Sequence, residues 1–140
     1  MGTIETFDHT ADVGLRVRGG DLPDVFRTAA EGVFDYIVAN RSEVKVAETE
    51  RLALAADSPL DLLVTWLNEL IFRSETRHRL YTRFEVVIGP DGRTLEATIG
   101  GEPVDASRHI LDHEVKAVTH HGETLVQEGS GWRAELILDI

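Results

Sequence analysis

The stretch "FDHTADVG" places three side chains that can bind a cation within five positions of one another. These side chains are Asp8, His9 and Asp12. Asp and Thr side chains also stabilise turns by bonding to nearby backbone groups, so the stretch can be a plain turn between two strands. Carboxylate oxygens and an imidazole nitrogen are metal ligands, so the same residues can equally form part of a cation site.

The stretch "WRAELILDI" at residues 132–140 is the second place where carboxylates gather. Its apolar and polar residues alternate, which predicts a strand that runs to the last residue. Asp139 then lies beside the α-carboxylate of Ile140, and two carboxylates that close repel unless a cation or a lysine lies between them. An ordinary edge strand is the alternative interpretation.

The stretch "EVKAVTHHGE" is the third candidate. Lys116 stands among apolar strand residues, and His120 and His121 follow. Adjacent strand residues point to opposite faces, so at most one of these two histidines can join a given site. Which of the two does so is left open. His109 and His113 fall on a looser segment and are given no role.

Composition restricts the class of protein. The 140 residues fit one domain, and 42% hydrophobic with 28% charged residues is typical of a globular chain. The absence of cysteine excludes disulfides, thiolate metal sites and a cysteine nucleophile. No apolar run approaches the roughly 20 residues of a membrane helix, and no secretion signal is visible. We therefore expect a cytoplasmic protein.

Charge and missing motifs narrow the function further. A net charge of −11 argues against direct binding of nucleic acid and permits binding of cations or of a basic protein surface. The sequence contains no GxGxxG, P-loop, HExxH or nucleophile-elbow motif. Common phosphate cradles and hydrolase centres are therefore not indicated.

Two amphipathic helices and seven to nine strands must position these residues. The helices are predicted over 21–40 and 57–80, with Asp21 and Ser58 as N-caps. "SEVKVAETERLALAA" indicates one or two strands, "PDGR" turns a hairpin, and "HEVKAVTHH" indicates another strand. The fold class is α+β: a two-layer α/β sandwich with both helices on one face of a mixed, mostly antiparallel sheet.

Three motifs occur in a recognisable order: "DHTADVG" near the start, "KAVTHH" late, and "ILDI" as the last four residues. Together they resemble the archease family, and "AAEGVFDYI" and "LLVTWLNELIF" are similar to that family's two helices. The resemblance covers essentially the whole chain, so residues 1–140 are expected to form a single archease-like domain related to strand-helix-strand-strand modules.

The resemblance implies a function in RNA metabolism. Archeases are accessory proteins, not enzymes, that assist the GTP- and metal-dependent RNA ligase of tRNA splicing and RNA repair. They promote guanylylation of the ligase and its multiple turnover. The partner implied is thus the ligase, with RNA contacted only indirectly and no membrane involved.

The resemblance also implies a metal site. Its ligands are Asp12, Asp139 and the terminal carboxylate of Ile140, which an extension of the chain would remove. Asp8, His9, Lys116 and His121 are expected as neighbours of the site or as partner contacts. One departure concerns His120, because the family often has an aromatic residue after "KAVT".

The cation implied first by the resemblance is Ca²⁺, with Mg²⁺ or Mn²⁺ as other hard ions that suit oxygen ligands. Two other functions stay open. One is a metal-dependent phosphoesterase built on Asp8, His9, Asp12 and Asp139, with a metal-bound water as nucleophile. The other is a non-catalytic binding module whose acidic cluster is simply solvated.

Overall fold

The computed structural model describes residues 2–9 and 12–140; for Asp8 and His9 it describes the backbone alone. Within these residues the chain forms two α-helices, one short 3₁₀ helix (Arg41–Glu43) and eight strands. The helices are α1 (Leu22–Ile37) and α2 (Pro59–Arg77). The strands are β1 (Thr3–His9), β2 (Asp12–Gly19), β3 (Glu48–Ala55), β4 (Arg79–Ile88), β5 (Thr94–Pro103), β6 (Ala117–Val118), β7 (Thr124–Glu128) and β8 (Gly131–Asp139).

Both helices begin at the predicted caps. The Asp21 carboxylate accepts a hydrogen bond of 2.9 Å from the backbone N–H of Asp24. The Ser58 hydroxyl accepts one of 3.1 Å from the N–H of Asp61. Each bond satisfies a backbone donor that the first helical turn leaves without a partner. Helix α2 ends at His78, whose left-handed backbone (φ 53°) closes the helix.

The strands form two sheets, and every pair of described strands is antiparallel. The first sheet has the order β1-β2-β8-β6, and β7 also pairs with β8. The second has the order β3-β5-β4. Helix α1 packs against β2 and β4, so it touches both sheets, and the core is shared. The α+β prediction is confirmed. The structure has two sheets where one was predicted, because residue patterns predict strands but not their partners.

Two segments predicted as strands are shorter in the structure than in the prediction. "SEVKVAETERLALAA" forms only one strand, because its first residues belong to the 3₁₀ helix and β3 starts at Glu48. "HEVKAVTHH" forms only the two-residue β6. Its preceding backbone is held to the end of α1, where the N–H of Asp112 donates to the carbonyl of Ile37 at 2.9 Å, so it cannot lie along β8.

A glycine inside α1 marks the contact between this helix and the five-stranded sheet. A Cβ at Gly32 would lie 3.3 Å from side-chain atoms of Ile4 and Leu15. A glycine within a helix costs about 1 kcal/mol relative to alanine. The tight packing of α1 on β1 and β2 offsets this cost.

Trp66 joins three elements at the centre of the core. Its side chain is fully buried, and its indole N–H donates to the backbone carbonyl of Phe26 in α1 at 3.0 Å. Its ring meets Phe84 of β4 edge-on, with 6.2 Å between ring centroids and an interplanar angle of 85°. A buried indole N–H needs such an acceptor, so Trp66 fixes the position of α2 relative to α1 and β4.

We expect Trp66→Phe to lower the free energy of unfolding by about 2 kcal/mol, because it removes the hydrogen bond to Phe26 and leaves a cavity. Urea denaturation measures this value. The control is Trp132→Phe, at a tryptophan that is only half-buried, for which we expect a loss of less than about 1 kcal/mol. Equal losses in the two variants would contradict the role given to Trp66.

Candidate functional site

The stretch "FDHTADVG" lies in the first hairpin of the five-stranded sheet. Strand β1 runs through His9 and β2 starts at Asp12, so both strands extend into the segment that is predicted to lie between two strands. In the register of this pair, His9 lies opposite Asp12 and Asp8 lies opposite Val13. Thr10 and Ala11 are outside the described residues, as are the side chains of Asp8 and His9.

The end of β8 lies beside the start of β2. Val13 pairs with Leu138, and Asp12 and Asp139 are the residues immediately beyond this pair. Because side chains alternate along a strand, Asp12 and Asp139 are on the face opposite to Val13 and Leu138. The latter face contacts the helices, since Leu138 is fully buried. Two carboxylates far apart in sequence are therefore at the same end of the sheet, on its outer face.

Strand β6 completes this row of strand ends. Ala117 pairs with Asp139, and the backbone N–H of Lys116 donates to the carbonyl of Asp139 at 2.8 Å. Ala117, not Lys116, is thus the direct cross-strand neighbour of Asp139. The Lys116 side chain is exposed and forms no ion pair with the side chains that the structure describes. Lys116 therefore contacts the chain end through its backbone, and its role as a neighbour of the site or as a partner contact stays a prediction.

The two histidines after β6 lie in an exposed turn. The Thr119 hydroxyl is 2.7 Å from a carboxylate oxygen of Glu123 and 3.0 Å from the carbonyl of His121, which shapes this turn. The same Glu123 oxygen accepts from the backbone N–H of Ile137 at 3.2 Å. His120 and His121 are both exposed, and none of the described contacts joins either ring to Asp12 or Asp139.

Asn68 of α2 holds β6 in place. Its side-chain carbonyl accepts from the N–H of Val118 at 2.8 Å, and its amide group donates to the carbonyl of Val118 at 3.1 Å. These two bonds satisfy the backbone N–H and carbonyl of Val118, which point away from β8. Asn68 is therefore a positioning residue for the candidate site. Asn68 is not predictable as such from the sequence, because a polar residue in a helix gives no indication of its backbone partner.

The donors at this end of the sheet are carboxylate oxygens, the ligands that hard divalent cations prefer. Asp139 and Ile140 are exposed and Asp12 is half-buried, so a cation from solvent can reach them. Among the described side chains, no group of three or more histidine or acidic residues is close enough to hold a metal ion. The chemistry of Asp12, Asp139 and the Ile140 carboxylate fits such an ion, and their role as ligands stays a prediction.

A second titratable cluster, which sequence reasoning missed, lies elsewhere in the fold. Glu102 is only 6% exposed and His109 only 4%. The Glu102 carboxylate is 2.5 Å from the guanidinium of Arg108 and 2.9 Å from Nε2 of His109, and it accepts from the N–H of Lys45 at 2.7 Å. Nothing in the spacing of these residues indicates the cluster, because it forms only when the loop after β5 folds back.

The protonation state of this cluster follows from its hydrogen bonds. The N–H of Asp105 donates to Nδ1 of His109 at 2.9 Å, so Nε2 carries the proton and donates to Glu102. Arg108, the N–H of Lys45 and His109 together lower the pKa of Glu102 to about 2, although burial acts in the opposite direction. Glu102 and His109 are too deeply buried for a substrate to reach, and the cluster fixes the loop that contains Asp105 and His109.

We expect Glu102→Gln to lower the free energy of unfolding at neutral pH by about 2 kcal/mol, because it removes charged hydrogen bonds to Glu102. The pKa of Glu102 is below its ordinary value of 4.5, so its contribution is complete above pH 4.5 and is lost as the pH falls to about 2. The difference between wild type and variant should therefore shrink over this window. Urea denaturation from pH 2 to 7 measures it, with the exposed Glu96→Gln as control.

We expect Asn68→Ala to increase the hydrogen-exchange rate of the Val118 amide at least tenfold, because it removes the acceptor of that N–H. Asn68→Asp keeps an acceptor and loses the donor to the Val118 carbonyl, so its effect should be intermediate. The amide of Leu136, in the middle of β8, serves as the internal control. An unchanged Val118 rate in Asn68→Ala would contradict the positioning role.

No helix among the described residues has the length and apolar character needed to cross a membrane.

Comparison with known proteins assigns the chain to a family. It is 37% identical to a protein archease of Methanothermobacter thermautotrophicus and 33% identical to one of Methanopyrus kandleri, with at least 97% of each chain covered. The solution structure of Methanobacterium thermoautotrophicum protein 1598 superposes with a TM-score of 0.80 at 34% identity, covering 98% of both chains.

A more distant structure supports the fold alone. The crystal structure of an archease from Thermotoga maritima, described as a possible chaperone, superposes with a TM-score of 0.65 at 15% identity, covering 97% of this chain and 96% of that one. Residues 4–140 match the Archease protein family (MTH1598/TM1083). The chain, with its paired β2 and β8 and the carboxylates at their end, therefore belongs to the archease family.

Proposed function

We propose that this protein binds a divalent cation at the end of the five-stranded sheet through Asp12, Asp139 and the terminal carboxylate of Ile140. The observation that carries the proposal is the pairing of β2 with β8, which brings the two aspartates to neighbouring strand positions. Oxygen ligands of this kind suit Ca²⁺ first, by the family resemblance, and also Mg²⁺ or Mn²⁺. A bound cation would offset the mutual repulsion of these carboxylates.

We further propose that the protein is an accessory factor and not itself an enzyme. Its partner is a GTP-dependent RNA ligase of tRNA splicing and RNA repair, whose guanylylation and multiple turnover it promotes in the cytoplasm. Membership of the archease family supports this role. The description of the Thermotoga maritima relative as a possible chaperone is consistent with action on another protein.

Charge supports the same partner. A ligase must present basic surface to bind RNA and GTP, and this protein has a net charge of −11 with an exposed acidic sheet end. Complementary charge mainly raises the rate of encounter and orients the two proteins. The same negative charge disfavours a direct hold on RNA phosphates, so RNA is contacted only through the ligase.

The neighbouring residues have supporting roles in this proposal. His9 is opposite Asp12 in the strand register, and Asp8 is one position further from the sheet end. Lys116 is bonded through its backbone to Asp139, and its exposed ammonium group can hold a carboxylate or a phosphate of the partner. His121, in the turn after β6, is a candidate contact with the ligase.

We expect Asp12→Asn and Asp139→Asn each to reduce cation affinity and ligase turnover by at least tenfold, because each removes a charged oxygen ligand. Melting temperature with and without Ca²⁺ or Mn²⁺ measures binding. Ligations per ligase, with GTP, Mn²⁺ and RNA bearing 3′-phosphate and 5′-hydroxyl ends, measure activation. The control is Asp57→Asn, at an exposed aspartate without an ion pair to any described side chain.

The two readouts separate the two parts of the proposal. A cation-dependent rise in melting temperature without any change in ligase turnover would support the metal site and reject the ligase role. Full activation by Asp12→Asn would reject the site itself. Phosphate release by the purified protein without ligase, if lost in Asp12→Asn, would instead assign a phosphoesterase.

A further inference from the structure

A groove with a volume of about 400 Å³ lies between the end of α1, helix α2 and the segment 111–115. Its apolar lining includes Ile37, Ile71, Leu111 and Val115. This groove contains none of the predicted site residues. Val115 is nevertheless followed directly by Lys116, whose N–H bonds to Asp139, so the groove and the acidic sheet end are joined by one peptide bond.

Two large apolar side chains next to the groove are exposed to solvent. Ile110 is 60% exposed and Leu111 is 56% exposed, and Leu111 lines the groove. Single exposed apolar residues are common on protein surfaces, but two adjacent ones beside an apolar groove enlarge the apolar surface that a partner can cover.

The exposure of these side chains does not come from a loose loop. The carbonyl of Ile110 accepts from the N–H of Ala39 at 2.8 Å, and its N–H donates to the Asn40 side chain at 2.9 Å. The Asn40 amide also donates to the carbonyl of Arg108 at 2.9 Å. Together with the buried His109, these bonds fix the backbone while Ile110 and Leu111 point outward. A surface ordered before binding loses less conformational entropy when a partner docks.

Carboxylates line the groove beside its apolar floor. They belong to Glu75, Asp112 and Glu114. Asp112 lies 3.3 Å from the ring of His113, whereas Glu75 and Glu114 form no ion pair with any described side chain. All three of these residues are exposed, so their carboxylates are accessible to a partner. The groove thus combines an apolar floor with negative charge that has no partner among the described residues.

We propose that this groove docks a polypeptide segment of a partner protein in which a large apolar side chain is flanked by lysine or arginine residues. The apolar side chain would fill the space between Ile37, Ile71 and Leu111, and the cations would meet Glu75 and Glu114. Complementary charge fixes the register of such a segment, and the buried apolar anchor supplies most of the affinity. The proposal holds whether or not the partner is an RNA ligase.

Other occupants fit the groove less well. In a symmetric dimer a second copy would bring the same surface, and its carboxylates would meet those of the first copy. Like charges facing each other across an interface are unfavourable. Nucleic acid is disfavoured for the same reason, since its phosphates would meet Glu75 and Glu114.

The test uses the full chain and a displayed library of random peptides. We expect the enriched peptides to share a large apolar residue flanked by at least two lysines or arginines. One enriched peptide, labelled with a fluorophore, then serves as the probe for fluorescence polarisation. No enrichment, or enriched peptides without basic residues, would overturn the proposal.

The affinity of this peptide for variants locates its binding site. Leu111→Ser should raise its Kd at least tenfold, because it removes a central apolar contact. The matched control is Val87→Ser. Val87 lies in β4 of the three-stranded sheet and is 65% exposed, so this change should alter the Kd less than twofold. Circular dichroism verifies that both variants are folded. Equal Kd values for Leu111→Ser and wild type would overturn the proposal.

Charge is tested separately. Glu75→Gln with Glu114→Gln should weaken binding about threefold to tenfold at low salt, and the difference should shrink as salt rises. Glu96→Gln, at an exposed acid without an ion pair to a described side chain, is the control. Sedimentation of the unliganded protein adds one further outcome. A dimer that Leu111→Ser dissociates would assign the groove to a second copy and overturn the proposal.

Discussion

The pairing of β2 with β8 is the constraint on which the rest of the structure depends. Arg16 of β2 bonds to Glu135 of β8 at 2.7 Å across 119 positions of sequence. On the other face of the same pair, Leu15 and Leu136 are buried against the helices. The β2–β8 pair therefore joins the first two strands of the chain to the last ones in the five-stranded sheet. It also contributes to the core and brings Asp12 beside Asp139. Pairing two segments so far apart in sequence costs conformational entropy, which the burial of the apolar face must offset.

Helix α2 connects the core to the candidate site and to the groove. Trp66 of α2 fixes that helix to α1, and Asn68, half a turn further, holds Val118 of β6. Helix α2 also contributes Ile71 to the groove. One helix thus supports the strand beside Asp139 on one side and the proposed docking surface on the other. The acidic sheet end and the groove are consequently held in a fixed relation, as a partner that contacts both would require.

Local features of the fold were predictable from the sequence, and non-local ones were not. The caps at Asp21 and Ser58 and the buried faces of α1, α2, β2 and β8 follow from residue type and periodicity. The division into two sheets, the shortness of β6 and the Glu102–His109 pair depend on contacts between distant segments, which periodicity does not contain. Spacing alone likewise left Asp12 and Asp139 as separate candidates. The prediction that they act together came from the resemblance, and the β2–β8 register shows how the fold brings them to the same end of the sheet.

The long separation between β2 and β8 also has a consequence for synthesis of the protein. At about 5–20 residues per second, the ribosome needs roughly 6–24 s to add the 119 positions between Arg16 and Glu135. During that interval β2 has β1 as a neighbour but no β8. A chain that stops before β8 contains Asp12 but not Asp139, and it lacks the strand that pairs with β2, β6 and β7. The proposed cation site can therefore form only after translation has passed β8.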